Sequence, residues 1–275
     1  MSAGRLKIGV FDSGFGGLTV LRALLPLLPQ AEFLYLGDTA RLPYGSKSRA
    51  TIVRYALSST RFLLDQGADF LVIACNTATA LALTEIRAST PVQVLGVIET
   101  GASEARSSSR TRDILVIGTD ATIASHAYAA ACRERGLRAL EKACPLLVPL
   151  VEEGWIDHPV TAEVVRIYLT ELLHQAQEED LDPDTLVLGC THYPLLRPMM
   201  EAALTPAIRV IDSAQATASQ AARMLAGHTR SSLGSGRPSD RCRFFATDSV
   251  AKFQKLGARF LGSAMKEVEL VDLGG

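Results

Sequence analysis

Short apolar runs recur along the chain, each closed by small and polar residues, with stretches of helical spacing between them. Runs at residues 6–11, 32–36, 71–74, 92–98, 114–117, 137–143, 186–189, 208–211, 243–246 and 268–271 read as strands. Several are apolar without alternation, as expected of strands covered on both faces in a parallel sheet. The spacing predicts helices from the glycine-rich loop at 14–17 to about residue 28, over 47–66, 77–88 and from 99 onward. Others follow over 121–135, 160–177, 194–204, up to 225 and over 249–261. Strands alternating with helices in this way predict an α/β fold with mostly parallel sheets. A second α/β unit starts near residue 98, and two similar halves fit the pattern better than one sheet.

Two strand ends carry the same design. Leu71-Val72-Ile73-Ala74-Cys75-Asn76-Thr77 and Leu186-Val187-Leu188-Gly189-Cys190-Thr191-His192 align without a gap as apolar, apolar, apolar, small, cysteine, polar, polar. A helix pattern after each cysteine puts the sulfur at the carboxyl end of its strand, where open α/β sheets bind ligands. A helix N-terminus there favours thiolate over thiol. Asn76, Thr77 and Thr191 are good N-cap residues whose remaining donors suit a carboxylate. Cysteine is also a small hydrophobe that packs well in cores, but two in one context point to thiols facing a substrate from opposite sides.

Other strand ends add candidates. The first run ends at Asp12-Ser13, followed by Gly14-Phe15-Gly16-Gly17. This misses the dinucleotide fingerprint, because position 19 is Thr19 and not glycine. The glycines instead let backbone amides approach a small anion. The second run ends at Gly37-Asp38, and Pro43-Tyr44-Gly45-Ser46 beyond it suits a pocket rim or a plain surface turn. The run into Glu152-Glu153 suggests a site carboxylate from either residue, or a solvated helix. His192 reads as an acid/base partner or thiolate stabiliser for Cys190. The Cys-x-His spacing also allows a metal site, without further ligands at fixed spacing. His126, His158, His174 and His228 read as structural or exposed, and Cys132, Cys144 and Cys242 as packing residues. The basic stretch 106–112 reads as a solvated loop near a domain crossover, and 228–241 as a flexible loop with its arginines in solvent.

Composition narrows the class. With 275 residues the chain can bury a full core. Lys and Arg number 28 against 29 acids, a formal net charge of −1, which argues against nucleic acid or membrane as a partner drawn by bulk charge. No run is long enough to span a membrane, and the N-terminus reads straight into a strand. Five cysteines, an odd number without CxxC pairing, argue against a disulfide framework. The expectation is a soluble protein of the reducing cytoplasm.

Taken together, Phe11-Asp12-Ser13-Gly14-Phe15-Gly16-Gly17, Gly37-Asp38-Thr39-Ala40-Arg41-Leu42-Pro43-Tyr44-Gly45 and Ala74-Cys75-Asn76-Thr77-Ala78 resemble the cofactor-independent glutamate racemases, of the Asp/Glu racemase family. Gly189-Cys190-Thr191-His192-Tyr193-Pro194-Leu195 and Ile211-Asp212-Ser213 extend the resemblance over essentially the whole chain. It implies two α/β domains around a cleft, residues 1–97 with 208–275 and residues 98–207. It implies Cys75 and Cys190 as catalytic bases, acting on the D- and L-enantiomer respectively, assisted by Asp12, Asp38, Glu152 and His192. Substrate would be bound by Asp12, Ser13, Pro43, Tyr44, Gly45, Ser46, Asn76, Thr77, Thr191 and His192. The implied activity is interconversion of L- and D-glutamate by two-base proton transfer, with no cofactor and no metal. Its implied role is supply of D-glutamate for peptidoglycan synthesis, and hence cell shape. The sequence leaves the oligomeric state open, a homodimer included.

Overall fold

The computed structural model describes residues 5–227, 238–265 and 267–274. The first strand β1 (Lys7–Asp12) leads through the glycine loop into α1 (Leu18–Leu27). β2 (Glu32–Gly37), α2 (Arg49–Asp65), β3 (Phe70–Ile73), α3 (Asn76–Ser89) and β4 (Gln93–Gly96) follow. The second unit runs α4 (Val97–Ser108), β5 (Asp113–Gly118), α5 (Asp120–Ala124), α6 (Ala127–Arg133), β6 (Arg138–Ala143), α7 (Leu147–Glu152) and α8 (Pro159–Glu178). It continues with β7 (Thr185–Gly189), α9 (Arg197–Ala203) and β8 (Arg209–Asp212). The chain then returns through α10 (Ala214–Leu225) to β9 (Cys242–Ala246), α11 (Val250–Leu261) and β10 (Val268–Leu270). None of the described helices is long and apolar enough to cross a membrane.

The strands form two sheets, ordered β10-β9-β2-β1-β3-β4 and β6-β5-β7-β8. All pairings are parallel. The domain division expected from sequence needs one correction. Residues 208–212 do not join the first sheet, because Val210 and Ile211 pair with Leu186 and Val187 of β7. Arg197 fastens this strand by donating to the Val210 carbonyl and, at 2.6 Å, to the Asp212 carboxylate. The chain therefore crosses back after Asp212, and α10 packs on both α1 and α4.

The strands carrying the cysteines are buried throughout, which their unbroken apolar runs require. Side chains alternate across each strand. Leu71, Ile73 and Cys75 therefore share one face, against Ile52, Ala56 and Ala82 of the flanking helices. Leu186, Leu188 and Cys190 likewise share a face in the large apolar cluster, which also takes in Leu18 of α1 and Phe253 of α11. This shared cluster joins the two units behind their cleft.

Three further expectations change. The helix over 121–135 is two helices, broken at His126, whose φ is 53°. Ser125 ends the first by donating to the Thr122 carbonyl and opens the second by accepting from the Ala127 amide. The helix after Cys190 is also interrupted. A turn of 3₁₀ helix (Tyr193–Leu196) precedes the seven-residue α9. Pro198, which has no amide proton, cannot sit inside one continuous helix from 191 onward. Lastly, Arg241 does not face solvent: it donates to the carbonyls of Leu25, Leu28 and Ala31 at the end of α1. The Leu25 carbonyl, in the last turn of α1, faces Pro29 four residues on and so lacks a helical partner, and a cation suits it. The rest of that loop through 237, with His228, lies outside the described residues.

Candidate active site

Both cysteines open onto one narrow cleft between the units. It is lined by Ser13, Leu42, Pro43, Tyr44, Gly45, Cys75, Asn76, Thr77, Thr119, Val148, Cys190, Thr191 and His192. Two larger depressions elsewhere on the described surface contain neither cysteine.

Cys75 lies two residues past the end of β3 and is itself the N-cap of α3, its sulfur accepting from the Ala78 amide at 3.4 Å. Asn76 and Thr77, expected as caps, are instead the first helical residues. The Ser13 hydroxyl lies 3.5 Å from the Cys75 sulfur. The helix end was expected to favour the thiolate, but burial outweighs it. Desolvation, with the Asp12 carboxylate nearby as the second cause, pushes the Cys75 thiol up to about 12.

Cys190 has a different neighbour. Its sulfur lies 3.9 Å from Nδ1 of His192, whose Nε2 lies 3.1 Å from Glu152 Oε1. Burial alone would lower the basicity of this imidazole. The contacts with Cys190 and Glu152 overcome that and raise its pKa to about 10. The two adjacent carboxylates point apart: Glu152 turns in to His192, while Glu153 faces Lys252 at the surface.

Asp12 is fully buried just behind this cleft. Its carboxylate accepts from the Gly14 amide at 2.9 Å and from the Thr191 hydroxyl, across the units, at 3.3 Å. Desolvation raises its pKa, opposed by the charge on His192. The anion that the glycine loop was expected to approach is thus the protein's own Asp12. The other glycines admit protein neighbours. A Cβ at Gly16 would lie 2.3 Å from Thr191 Oγ1, and one at Gly17 2.5 Å from Asp12 Cβ.

Asp38, expected among the catalytic groups, does not line the cleft. It accepts from the hydroxyls of Tyr44 and Thr247 and pairs with Arg41 at 3.4 Å. Burial raises its pKa. Its structural effect is to hold Tyr44, and with it the rim. Of that rim, Pro43, Tyr44 and Gly45 line the cleft, but Ser46 is exposed and turns to the Pro43 carbonyl. Asn76 accepts from the Tyr128 hydroxyl at 2.7 Å through Oδ1, which leaves its amide nitrogen as a donor.

Three lining residues were not picked out from sequence: Leu42, Thr119 and Val148. Thr119 carried a signal, since β5 ends in Gly118-Thr119, a small residue followed by a hydroxyl where the cysteine strands have a small residue followed by a thiol. Its hydroxyl meets those of Thr77 at 2.9 Å and Thr122 at 2.9 Å, and Thr77 also reaches Thr122 at 3.1 Å. This closed triangle of hydroxyls bridges the two units beside the cleft.

The remaining cysteines and histidines lie elsewhere. Cys132 and Cys144 are buried, and desolvation pushes each thiol up to about 12, as it does that of half-buried Cys242. His126 pairs with Glu141, His158 caps α8 and His174 is exposed. Among the described residues no group of three or more His, Cys, Asp or Glu is placed to hold a metal ion.

The sequence profile of the Asp/Glu/Hydantoin racemase family matches residues 17–221. A glutamate racemase of Koribacter versatilis is 52% identical over 100% of both chains. The crystal structure of the Francisella tularensis glutamate racemase in complex with D-glutamate superposes with a TM-score of 0.86, at 33% identity and over 98% of each chain. That of the Thermus thermophilus glutamate racemase in complex with β-chloro-D-alanine gives 0.83, at 43% identity and over 98% of each chain.

Proposed function

The chain belongs to the Asp/Glu/hydantoin racemase family, and on that premise we propose that it interconverts L- and D-glutamate with Cys75 and Cys190 as its two bases. One observation carries the reading: two buried thiols at equivalent strand ends of two sheets line a single cleft, each with its own polar partner.

Racemisation takes the α-proton from one face of the substrate and delivers a proton to the other. With bases on opposite faces, one starts as thiolate and the other as thiol, and the substrate does not turn. Protons alone balance the reaction, so the scheme calls on no cofactor.

The obstacle is the weak acidity of the α-carbon. Donors at the α-carboxylate stabilise the charge that develops there, at about 3 kcal/mol for each well-placed one. The Ser13 hydroxyl, the Asn76 amide nitrogen and the first backbone amides of α3 supply such donors around the cleft. The substrate's ammonium group brings a positive charge beside the Cys75 sulfur, opposing the burial that holds it as thiol. On the other side His192, kept protonated by its contacts with Cys190 and Glu152, holds a proton next to the Cys190 sulfur. By the resemblance, Cys75 serves the D-enantiomer and Cys190 the L-enantiomer. The product's place is the cytoplasm, as D-glutamate for peptidoglycan and hence cell shape.

The test is incubation with L-glutamate in heavy water, followed by chiral separation and mass analysis. D-Glutamate carrying one deuterium at Cα is the expected product. Binding without exchange would leave an amino-acid binding protein. Turnover confined to aspartate or a hydantoin would move the chain elsewhere in its family.

A further inference from the structure

The helix α11 belongs to the first unit, lying between β9 and β10 in the chain. It nevertheless meets the second unit at three points around the Glu152–His192 pair. Phe260, buried, sets its ring 5.5 Å from the His192 imidazole with the planes at 78°. Lys252 stands 4.0 Å from Glu153. Arg259 covers Gly154, where a Cβ would meet its guanidinium at 3.3 Å. The helix is anchored in its own unit by Phe253, which packs on Phe15 at 5.7 Å and Tyr35 at 6.0 Å.

We propose that Phe260 is a positioning residue for His192, fixing the plane of the imidazole from the opposite unit. The terminal torsion of a histidine is broad and roughly two-fold, so hydrogen bonds at its nitrogens must be helped by packing. Here the contact with Cys190 is a long one to sulfur, at 3.9 Å. An edge-to-face ring contact has a preferred geometry that a fluid apolar side chain lacks. It holds Nδ1 toward Cys190 while Nε2 faces Glu152, and it keeps water off the ring. The effect is one-sided, because the sulfur that His192 touches is that of Cys190. This inference rests on the reading of Cys190 and His192 as one of the two proton-transfer units.

The one-sidedness gives the test. 3-Chloroglutamate of either configuration at Cα loses its α-proton to a thiolate, and chloride departs with the C–Cl electron pair. The resulting enamine tautomerises and hydrolyses to 2-oxoglutarate and ammonium. Phe260→Leu keeps apolar bulk and removes the ring. It should slow elimination from the L-configured compound about two- to twelvefold, the range of such a ring contact, and leave the D-configured one unchanged. Phe253→Leu, on the same helix but packed on Phe15 and Tyr35, should affect both configurations alike. Phe260→Met fills the same space with a flexible chain and carries the same expectation if the leucine variant does not fold. Equal losses for both configurations, or no loss for the L-form, would overturn the positioning role. Cys190→Ser, run in parallel, must abolish elimination from the L-form. If it does not, the two-thiol reading fails and the role of Phe260 fails with it. If it does while Phe260→Leu shows no bias, the positioning role alone is refuted.

Discussion

Gly16 is a point of close approach between the two units beside the cysteines, and replacing it with alanine inserts a wedge of known size. The added Cβ would lie 2.3 Å from Thr191 Oγ1, 2.8 Å from Thr191 Cβ and 2.9 Å from His192 Nδ1. Ordinary contact starts near 3.4 Å, so the strand end bearing Cys190 must retreat by about 0.6 Å if the Thr191 hydroxyl turns aside (3.4 less 2.8) and by about 1.1 Å if it does not (3.4 less 2.3). The backbone at Gly16 is not in the left-handed region, so alanine is compatible with the local conformation. The strain therefore falls on the approach of the units, which are joined here by the 3.3 Å bond from Thr191 to Asp12. Overpacking of this kind costs about 1–3 kcal/mol of stability. A shift of about 1 Å in reacting groups costs roughly a hundredfold in rate. Gly16→Ala is thus expected to stay folded, melt slightly earlier and lose about two orders of magnitude in kcat/KM. Gly14→Ala is the comparison, because its Cβ would meet only the side chain of Leu42, at 2.9 Å. That side chain can turn aside, so the loss should be smaller. Racemisation by circular dichroism and a thermal melt on both variants decide the matter. Wild-type kcat/KM in Gly16→Ala would refute the claim that this close approach sets the distance between the thiols.

Three further outcomes are expected. Cys75→Ser and Cys190→Ser should each nearly abolish racemisation, yet Cys75→Ser should keep elimination from L-3-chloroglutamate and Cys190→Ser from the D-form; a shared preference would mean the thiols do not serve opposite faces. Glu152→Gln should lower kcat/KM about ten- to hundredfold, the worth of a hydrogen bond to a charged group, while Glu153→Gln, facing Lys252, should keep near-normal turnover; equal losses would remove Glu152 from its place behind His192. Stability should fall with pH, because His192 binds its proton up to about 10 when folded and only to about 6.5 when unfolded. Its contribution is complete below the lower value and lost as pH rises through the upper one, with a slope of at most about 1.4 kcal/mol per pH unit. Denaturant melts between pH 6.5 and 7.5, below the range, centred on about 8.5, in which cysteines of the unfolded chain lose their protons, should show this slope in wild type and not in His192→Asn; a flat wild-type profile would contradict a protonated His192.

Period and punctuation carried the fold. The ten strands are legible because parallel strands covered on both faces are apolar without alternation, and glycines or prolines bound the helices. What sequence could not give was pairing. Ile208 to Ile211 reads identically whether its strand closes the first sheet or the second, and the deciding contact, Arg197 to Asp212, is a tertiary one. The site followed the same division. Cys75, Cys190, Asn76, Thr77, Thr191 and His192 sit at strand tips, where position alone implies the cleft. Asp38 also ends a strand, but its carboxylate is taken up by Tyr44, Thr247 and Arg41, and Thr247 lies 209 residues away. Glu152 could not be told from Glu153 because helix phase relative to His192 depends on how α7 docks.

The two strand ends match almost residue for residue, yet the structure surrounds their sulfurs differently, and the proposed chemistry needs that difference. Cys75 caps a fourteen-residue helix and meets a hydroxyl, with a buried carboxylate near by that works against ionisation. Cys190 precedes a broken helix and meets a protonated imidazole. Two identical surroundings would favour the same protonation state at both thiols, whereas a proton can cross the substrate only if one thiol is charged and the other is not. The helix after Cys190 starts only at Arg197, with Pro198 in its first turn, so no long helix end supports that sulfur, and its neighbour is His192, held by Glu152 and braced by Phe260. The repeat supplies two thiols at equivalent places, and the departures from the repeat supply their unlike neighbours.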